Sequence, residues 1–325
     1  MVTWNLSELN DLKKTDEVIK DLTKKVNDFK KVKSKLNNLK PSEIISLIKK
    51  SEQISIICSK LSAFAGLRLV EKTNSSERIT YDSKISHIIT SLKNELLFFS
   101  IWFKDISDKK AKDIIKISGK YSYFLESIRK NRKYSLNENE ERIINLKDLS
   151  GSETVSKLYD TITNSFKHDW KGKKITTSEL VSKVQDPNKK IRHEAYDKLF
   201  KRYEKEEVVL AEIYKSLVSD WQNENITLRK FSSPISVRNV ANDIDDKTVE
   251  TLLNVIKKNK IVFQRYFKLK ARLLKEKKLS REDIYAPIKL KEKEYTYEYC
   301  KKTVLEAYKE FSEEAYKFAK EIFDL

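Results

Sequence analysis

Glycine and proline are scarce, with four of each in 325 residues against average usage near ~7% and ~5%. An all-β sandwich or barrel needs a turn residue every ~8–12 positions, and this chain cannot supply them. The glycines (Gly66, Gly119, Gly151 and Gly172) are never closer than 21 positions. That spacing excludes GxGxxG, GxxxxGKS/T and GxSxG, and with them dinucleotide fingerprints, phosphate loops and nucleophile elbows. Two cysteines, Cys58 and Cys300, cannot build a disulfide framework or a four-thiolate zinc site. Both sit among apolar residues of helical patterns and are expected to be buried free thiols. The longest apolar run, Leu96–Phe103, falls far short of the ~20 residues that span a bilayer. The start, Met1-Val-Thr-Trp-Asn-Leu-Ser-Glu-Leu9, lacks the basic and apolar stretches of a signal peptide. A soluble, cytoplasmic, all-α protein without a membrane partner is expected.

What is abundant is charge. Lys and Arg number 67 against 49 Asp and Glu, a net charge of +18. Such a surplus attracts polyanions, so a helical nucleic-acid binder is one reading. Only 12 of the cations are Arg, however, the residue that dominates bidentate phosphate and base contacts. The lysines are spread along the chain and interleaved with acids, so nucleic acid is not the favoured partner. A Lys- and Glu-rich surface with one Met and four Gln matches a thermophile-like composition. A codon bias toward Lys, Ile and Asn gives the same picture, and 19 Asn favour it.

Apolar spacing divides the chain into three regions. Residues 1–130 read as antiparallel helices joined by polar loops. The first covers about 11–40, with Val18, Leu22, Val26, Phe29, Lys33 and Leu36 on one face. A second starts at Pro41, a third runs from about Tyr81 to Lys104, and Thr73-Asn-Ser-Ser76 between them is a loop signal. Residues 131–184 hold a helix with acids in its first turn, Leu136-Asn-Glu-Asn-Glu-Glu141. A short β-hairpin follows near 166–177, then a capping box, Thr176-Thr-Ser-Glu179. Residues 185–325 open at Asp186-Pro187 as N-cap and first helical position. One long helix is expected from there to Trp221, and another from Asp245 through Leu274. Val304, Tyr308, Phe311, Ala315, Phe318 and Ile322 form a last apolar face, within which Ser312-Glu-Glu314 can cap a new helix. No internal repeat of fixed period emerges.

Candidate chemistry is thin. The histidines are His87, His168 and His193. His193-Glu194-Ala-Tyr-Asp197 resembles HExxH with Asp197 in place of the second imidazole. No third ligand accompanies it, and a surface histidine among charges is the plainer reading, so no stoichiometric zinc is expected. Phe98, Phe99, Trp102 and Phe103 have the spacing of core residues. Tyr295, Tyr297 and Tyr299 alternate and fit a short extended strip, and stacking platforms for peptide or nucleobase are the other use of such aromatics. Among 49 carboxylates no acid–base pair stands out.

Four segments together resemble the oligoendopeptidase F family of zinc peptidases, relatives of thimet oligopeptidase. They are Trp4-Asn-Leu-Ser-Glu-Leu9; Leu136–Ile144 with Gly151 and Leu158-Tyr-Asp160; Thr177–Leu180 with Asp186-Pro187, Arg192 and Ala195-Tyr196; and Asp220-Trp221, Glu224, Arg229, Pro234-Ile235, Arg238-Asn239, Asn242 and Ile244-Asp245. The resemblance covers nearly the whole chain but only the N-terminal half of the family. It implies an elongated multi-helix lobe bordering a deep channel. It implies zinc as cofactor and HExxH plus a downstream Glu as ligands, on a zincin-like segment that this chain lacks. Accordingly no catalytic or metal-binding residue is assigned here, no cofactor is expected in the chain itself, and the substrate-binding residues are left open. The chain is expected to be inactive alone: a truncated product, half of a split enzyme needing a complementary chain with HExxH to cleave oligopeptides, or a repurposed binder. A Lys-rich nucleic-acid-binding or adaptor protein is the alternative.

Overall fold

Lys171 and Gly172 both adopt positive φ, 49° and 81°, the geometry of a type I′ turn. They join β1 (Lys167–Trp170) to β2 (Lys173–Thr176), the two-stranded sheet of an otherwise helical chain. The computed structural model describes residues 4–288 and 294–324. Those residues divide into two compact units that do not follow chain order.

The larger unit comprises Leu9–Lys167 and Lys201–Val262. α1 (Thr15–Lys30) buries Leu22, Val26 and Phe29. The helix expected to reach residue 40 stops there, because the next position on its stripe is Lys33. The Lys33 ammonium turns out to Glu138, 2.7 Å away, and the chain tightens into a 3-10 stretch, Lys33–Asn38. α2 (Pro41–Glu71) has Pro41 in its first turn, and the Glu43 carboxylate accepts the Lys40 N–H at 2.7 Å. By length and composition α2 could cross a membrane. Eight of its residues are buried, Ile44, Ile48 and Leu61 among them, and a core helix passes the same test.

The third expected helix is two, α3 (Ser76–Asn94) and α4 (Leu97–Asp105). The break at Glu95–Leu96 re-aims the aromatics, so that Phe98 and Phe99 both reach Phe29, at 5.7 and 6.0 Å between ring centroids. Phe98, Phe99 and Phe103 are buried, and Trp102 is partly so, its indole N–H donating to Asn37 at 2.8 Å. Next come α5 (Asp108–Ile117), α6 (Ser122–Lys130), α7 (Glu138–Ser150) and α8 (Ser152–Asn164). One hydrophobic cluster runs from Leu22 on α1 to Leu125 on α6. Helices pack in the sequence α1, α2, α3, α7, α8, and then onto a later helix, Glu207–Trp221. Gly151 is the whole connection between α7 and α8. A Cβ there would lie 2.9 Å from the Lys147 carbonyl oxygen, closer than side chains pack.

The smaller unit gathers residues up to Glu8, His168–Phe200 and the chain from Phe263. The Thr176–Glu179 capping box forms as expected and starts α9 (Thr177–Val184). α10 (Lys189–Glu204) begins two residues later than the Asp186-Pro187 signal implies: Asn188 caps it, accepting the Lys190 N–H at 2.9 Å. Trp170, Leu180, Val184 and Ala195 form this unit's buried cluster. The expected single helix to Trp221 breaks after α10, and α11 is Glu207–Trp221. Glu204-Lys205-Glu206-Glu207 has no apolar side chain to hold the helix onto a neighbour across that point. α12 (Pro234–Ala241) and α13 (Asp246–Lys258) are capped by Ser233 and Asp245. Asn259 then separates α13 from α14 (Lys260–Leu273). Thr296 caps α15 (Tyr297–Phe311), so two of the three alternating tyrosines are helical rather than extended. Ser312 turns the chain into α16 (Glu313–Asp324), its hydroxyl accepting the Ala315 N–H at 3.3 Å. α15 and α16 pack against each other. Cys300 on α15 is exposed, contrary to expectation, whereas Cys58 is buried.

Candidate functional site

Segments far apart in the sequence meet at Arg229, which follows a π-helical stretch, Gln222–Leu228. That wider coil gives an Arg229 N–H to Glu224 carbonyl bond of 2.9 Å; π turns recur at functional sites. The Arg229 guanidinium donates both terminal nitrogens to Glu141 on α7, at 2.8 and 2.9 Å, and its Nε to Glu224 at 2.7 Å. It also donates to the Tyr134 carbonyl at 3.2 Å. Burial works against the Glu141 charge, but Arg229 and the Leu136 N–H outweigh it and hold the carboxyl below its ordinary range. Lys104, beside this pair, is held below the usual lysine range by burial.

Close to Glu224 lie Asp148, at the end of α7, and Asp220, at the end of α11. One oxygen from each of the three carboxylates falls within 4.8 Å of the others. Burial first, then the Glu224 and Asp220 charges, push Asp148 up to about 6, against the pull of Arg229. One carboxyl of the cluster therefore keeps its proton well above the ordinary range. The sequence singled out Asp220 and Glu224 only as parts of the resemblance, and Asp148 not at all. Only folding brings α7 to the end of α11.

The HExxH look-alike sits in the smaller unit. His193 is exposed on α10, with Nδ1 3.0 Å from Glu282 and Nε2 3.6 Å from Asp197. The Glu282 hydrogen bond, then the Asp197 charge, raise its pKa. Glu194 pairs with Lys198 on the same helix, at 3.6 Å. The neighbouring Arg192 is buried and reaches Asp283 at 2.6 Å. His87 is exposed on α3, and His168 is buried on β1, with its Nε2 3.1 Å from the Thr177 hydroxyl. The three imidazoles thus serve three different elements. Tyr295 stacks on Tyr299, 5.0 Å between centroids.

Zinc prefers imidazole and thiolate nitrogen and sulfur, usually with at least one histidine. Among the described residues the one close group of three potential ligands is the Asp148–Asp220–Glu224 set. Its all-oxygen chemistry suits a hard cation and does not fit a peptidase zinc. No step of peptide hydrolysis follows from it.

These folds and motifs find their counterparts among peptidases. A family model described as Oligopeptidase F matches residues 102–167. An oligoendopeptidase F homolog of Borreliella burgdorferi is 24% identical over 298 residues, 88% of this chain and 48% of that protein. Oligopeptidase PepF of Bacillus subtilis is 22% identical over 333 aligned positions, 98% of this chain and 49% of its own. The crystal structure of oligoendopeptidase-F from Enterococcus faecium superposes with a TM-score of 0.75 at 19% identity, covering 95% of this chain and 60% of that one. The chain is similar to the oligoendopeptidase F family in sequence and shares its fold. It spans about half the length of the curated relatives it matches.

Proposed function

We propose that this chain is the N-terminal lobe of an oligoendopeptidase F-type zinc peptidase, inactive alone and completed by a polypeptide that carries HExxH. One observation carries the reading: the chain matches relatives over half their length, and its 325 residues contain no HExxH. The residues of the resemblance support it. Glu141, Glu224 and Arg229 tie α7 to the π-helical stretch, and Arg192 is buried against Asp283. They hold helices in place and leave peptide cleavage to other groups. The zinc would be held by the complementing segment, where it supplies the Lewis acid and activated water of peptide hydrolysis. This lobe's part is to wall the substrate channel. Unpaired thiols at Cys58 and Cys300 support a cytoplasmic setting.

The test is complementation. The purified chain is mixed with the remaining half of a relative, bearing HExxH, and assayed on a quenched fluorescent oligopeptide. Chelator-sensitive cleavage is expected from the mixture and not from either part. Cleavage by this chain alone refutes the inactive-lobe reading. A competent second half that gains nothing from this lobe refutes the split-enzyme reading.

A further inference from the structure

Every residue from Glu250 to Leu269 is exposed, although α13 and α14 carry large apolar side chains throughout. Helices with apolar stripes fold by covering them, and an exposed apolar surface of this kind marks an interaction site. On α14, Val262, Tyr266, Leu269 and Leu273 step by four, three and four, each between 47% and 56% exposed. That is the seam spacing of a coiled coil. In the sequence the same register continues back through Asn259 to Val255 and Leu252.

Charge defines what covers the seam. α14 contains Lys260, Arg265, Lys268, Lys270 and Arg272 and no carboxylate. Arg265 and Arg272 each precede a seam residue by one position, and Lys258 continues that strip one heptad earlier. Positions flanking the seam select the partner of a coiled coil. Lys270 is buried and donates to the Ile284 carbonyl, so it belongs to the fold. Arg265 and Arg272 are exposed and form no ion pair among the described residues. A second α14 laid along this one would set cations against cations. Nucleic acid would use the cations and leave the seam in water.

We propose that α14 docks an acidic amphipathic helix of a separate polypeptide, its apolar ridge on Val262, Tyr266, Leu269 and Leu273 and its carboxylates on Arg265 and Arg272. The chemistry rests on α14 itself; only the identification of that helix with the complementing segment rests on the lobe reading above. The probe is a synthetic, fluorescein-labelled three-heptad peptide with Leu at seam positions and Glu beside them. It is titrated with the full chain by fluorescence anisotropy. A second peptide carries Lys in place of Glu, and a third is a scramble of the first. The chain binds the Glu peptide and neither of the others. Arg265→Glu combined with Arg272→Glu weakens the Glu peptide roughly tenfold and gains the Lys peptide, with an unchanged circular dichroism spectrum.

Equal binding of the scramble, or a charge swap that moves neither affinity, overturns the proposal. So does sedimentation of the chain as a dimer that Tyr266→Glu dissociates, since the occupant is then a second copy. Displacement of the peptide by a single-stranded oligonucleotide with the same arginine dependence overturns it in favour of nucleic acid. A failed complementation assay beside a successful peptide titration removes the lobe reading and leaves the docking surface standing.

Discussion

Arg229 is the residue on which the larger unit's long-range order depends most visibly. It neutralises Glu141 and Glu224, whose side chains are 14% and 23% exposed. Removing one partner of such a pair leaves the other charges uncompensated. Arg229→Ala should cost about 3–5 kcal/mol in urea unfolding, and Arg229→Lys should recover only part of it, lacking the bidentate fork. Asp148 works in the opposite sense. Its pKa is raised from 3.8 to about 6, so folding favours the protonated form. That contribution is present below the unfolded value and is lost as pH rises through 6. Asp148→Asn should therefore stabilise the fold at pH 8 by about 1 kcal/mol after allowance for solvent screening, read as a higher melting temperature, and change little at pH 4. The thiols divide by burial: native alkylation followed by mass spectrometry should modify Cys300 and spare Cys58, whose pKa burial raises.

Element boundaries follow two kinds of rule. Starts are chemical and local, as at Pro41, Asn137, Thr176 and Asp245, where caps and first-turn residues stand where the sequence places them. The hairpin is equally local. Lys171 holds φ 49° at the first turn position, where Asn or Gly is preferred. Lys171→Asn should then stabilise the smaller unit by roughly 0.5–1 kcal/mol, read from the urea midpoint, even though the Lys171 ammonium over the Trp170 ring, at 6.0 Å, is lost. Interior breaks are of another kind. Nothing at Glu95–Leu96 or Lys205–Glu206 is a Gly or Pro, and continuous apolar spacing there implied single helices. The first break serves packing on one side of it, where Phe98 and Phe99 both turn to Phe29; the second falls where four charged residues offer nothing to pack.

For the whole molecule, the similarity to peptidases and the absence of HExxH point the same way. Elemental analysis of the purified chain should find no stoichiometric zinc, because His193 is already engaged by Glu282 and Asp197 and the close carboxylate cluster offers only oxygen. One zinc per chain, lost in His193→Ala, would reverse that conclusion. The exposed apolar seams of α14 and of α16, where Phe318 and Ile322 are 62% and 73% exposed, should also make the isolated chain bind a hydrophobic dye more strongly than a complemented one.

The helical class, the hairpin, the Thr176 capping box and the likeness to oligoendopeptidase F were all legible in the sequence, because each depends on residues within a few positions or on ordered motifs along the chain. So was the core role of Phe98, Phe99 and Phe103. Three things came only with the tertiary structure: where long apolar stripes break, which cysteine is covered, and which of 49 carboxylates meet. Glu141 and Arg229 are 88 positions apart, and Asp148 gains its shifted pKa only when α7 ends beside α11. Local spacing records what one helix can bury; pairing at that distance, and the desolvation that comes with it, depends on which helices pack.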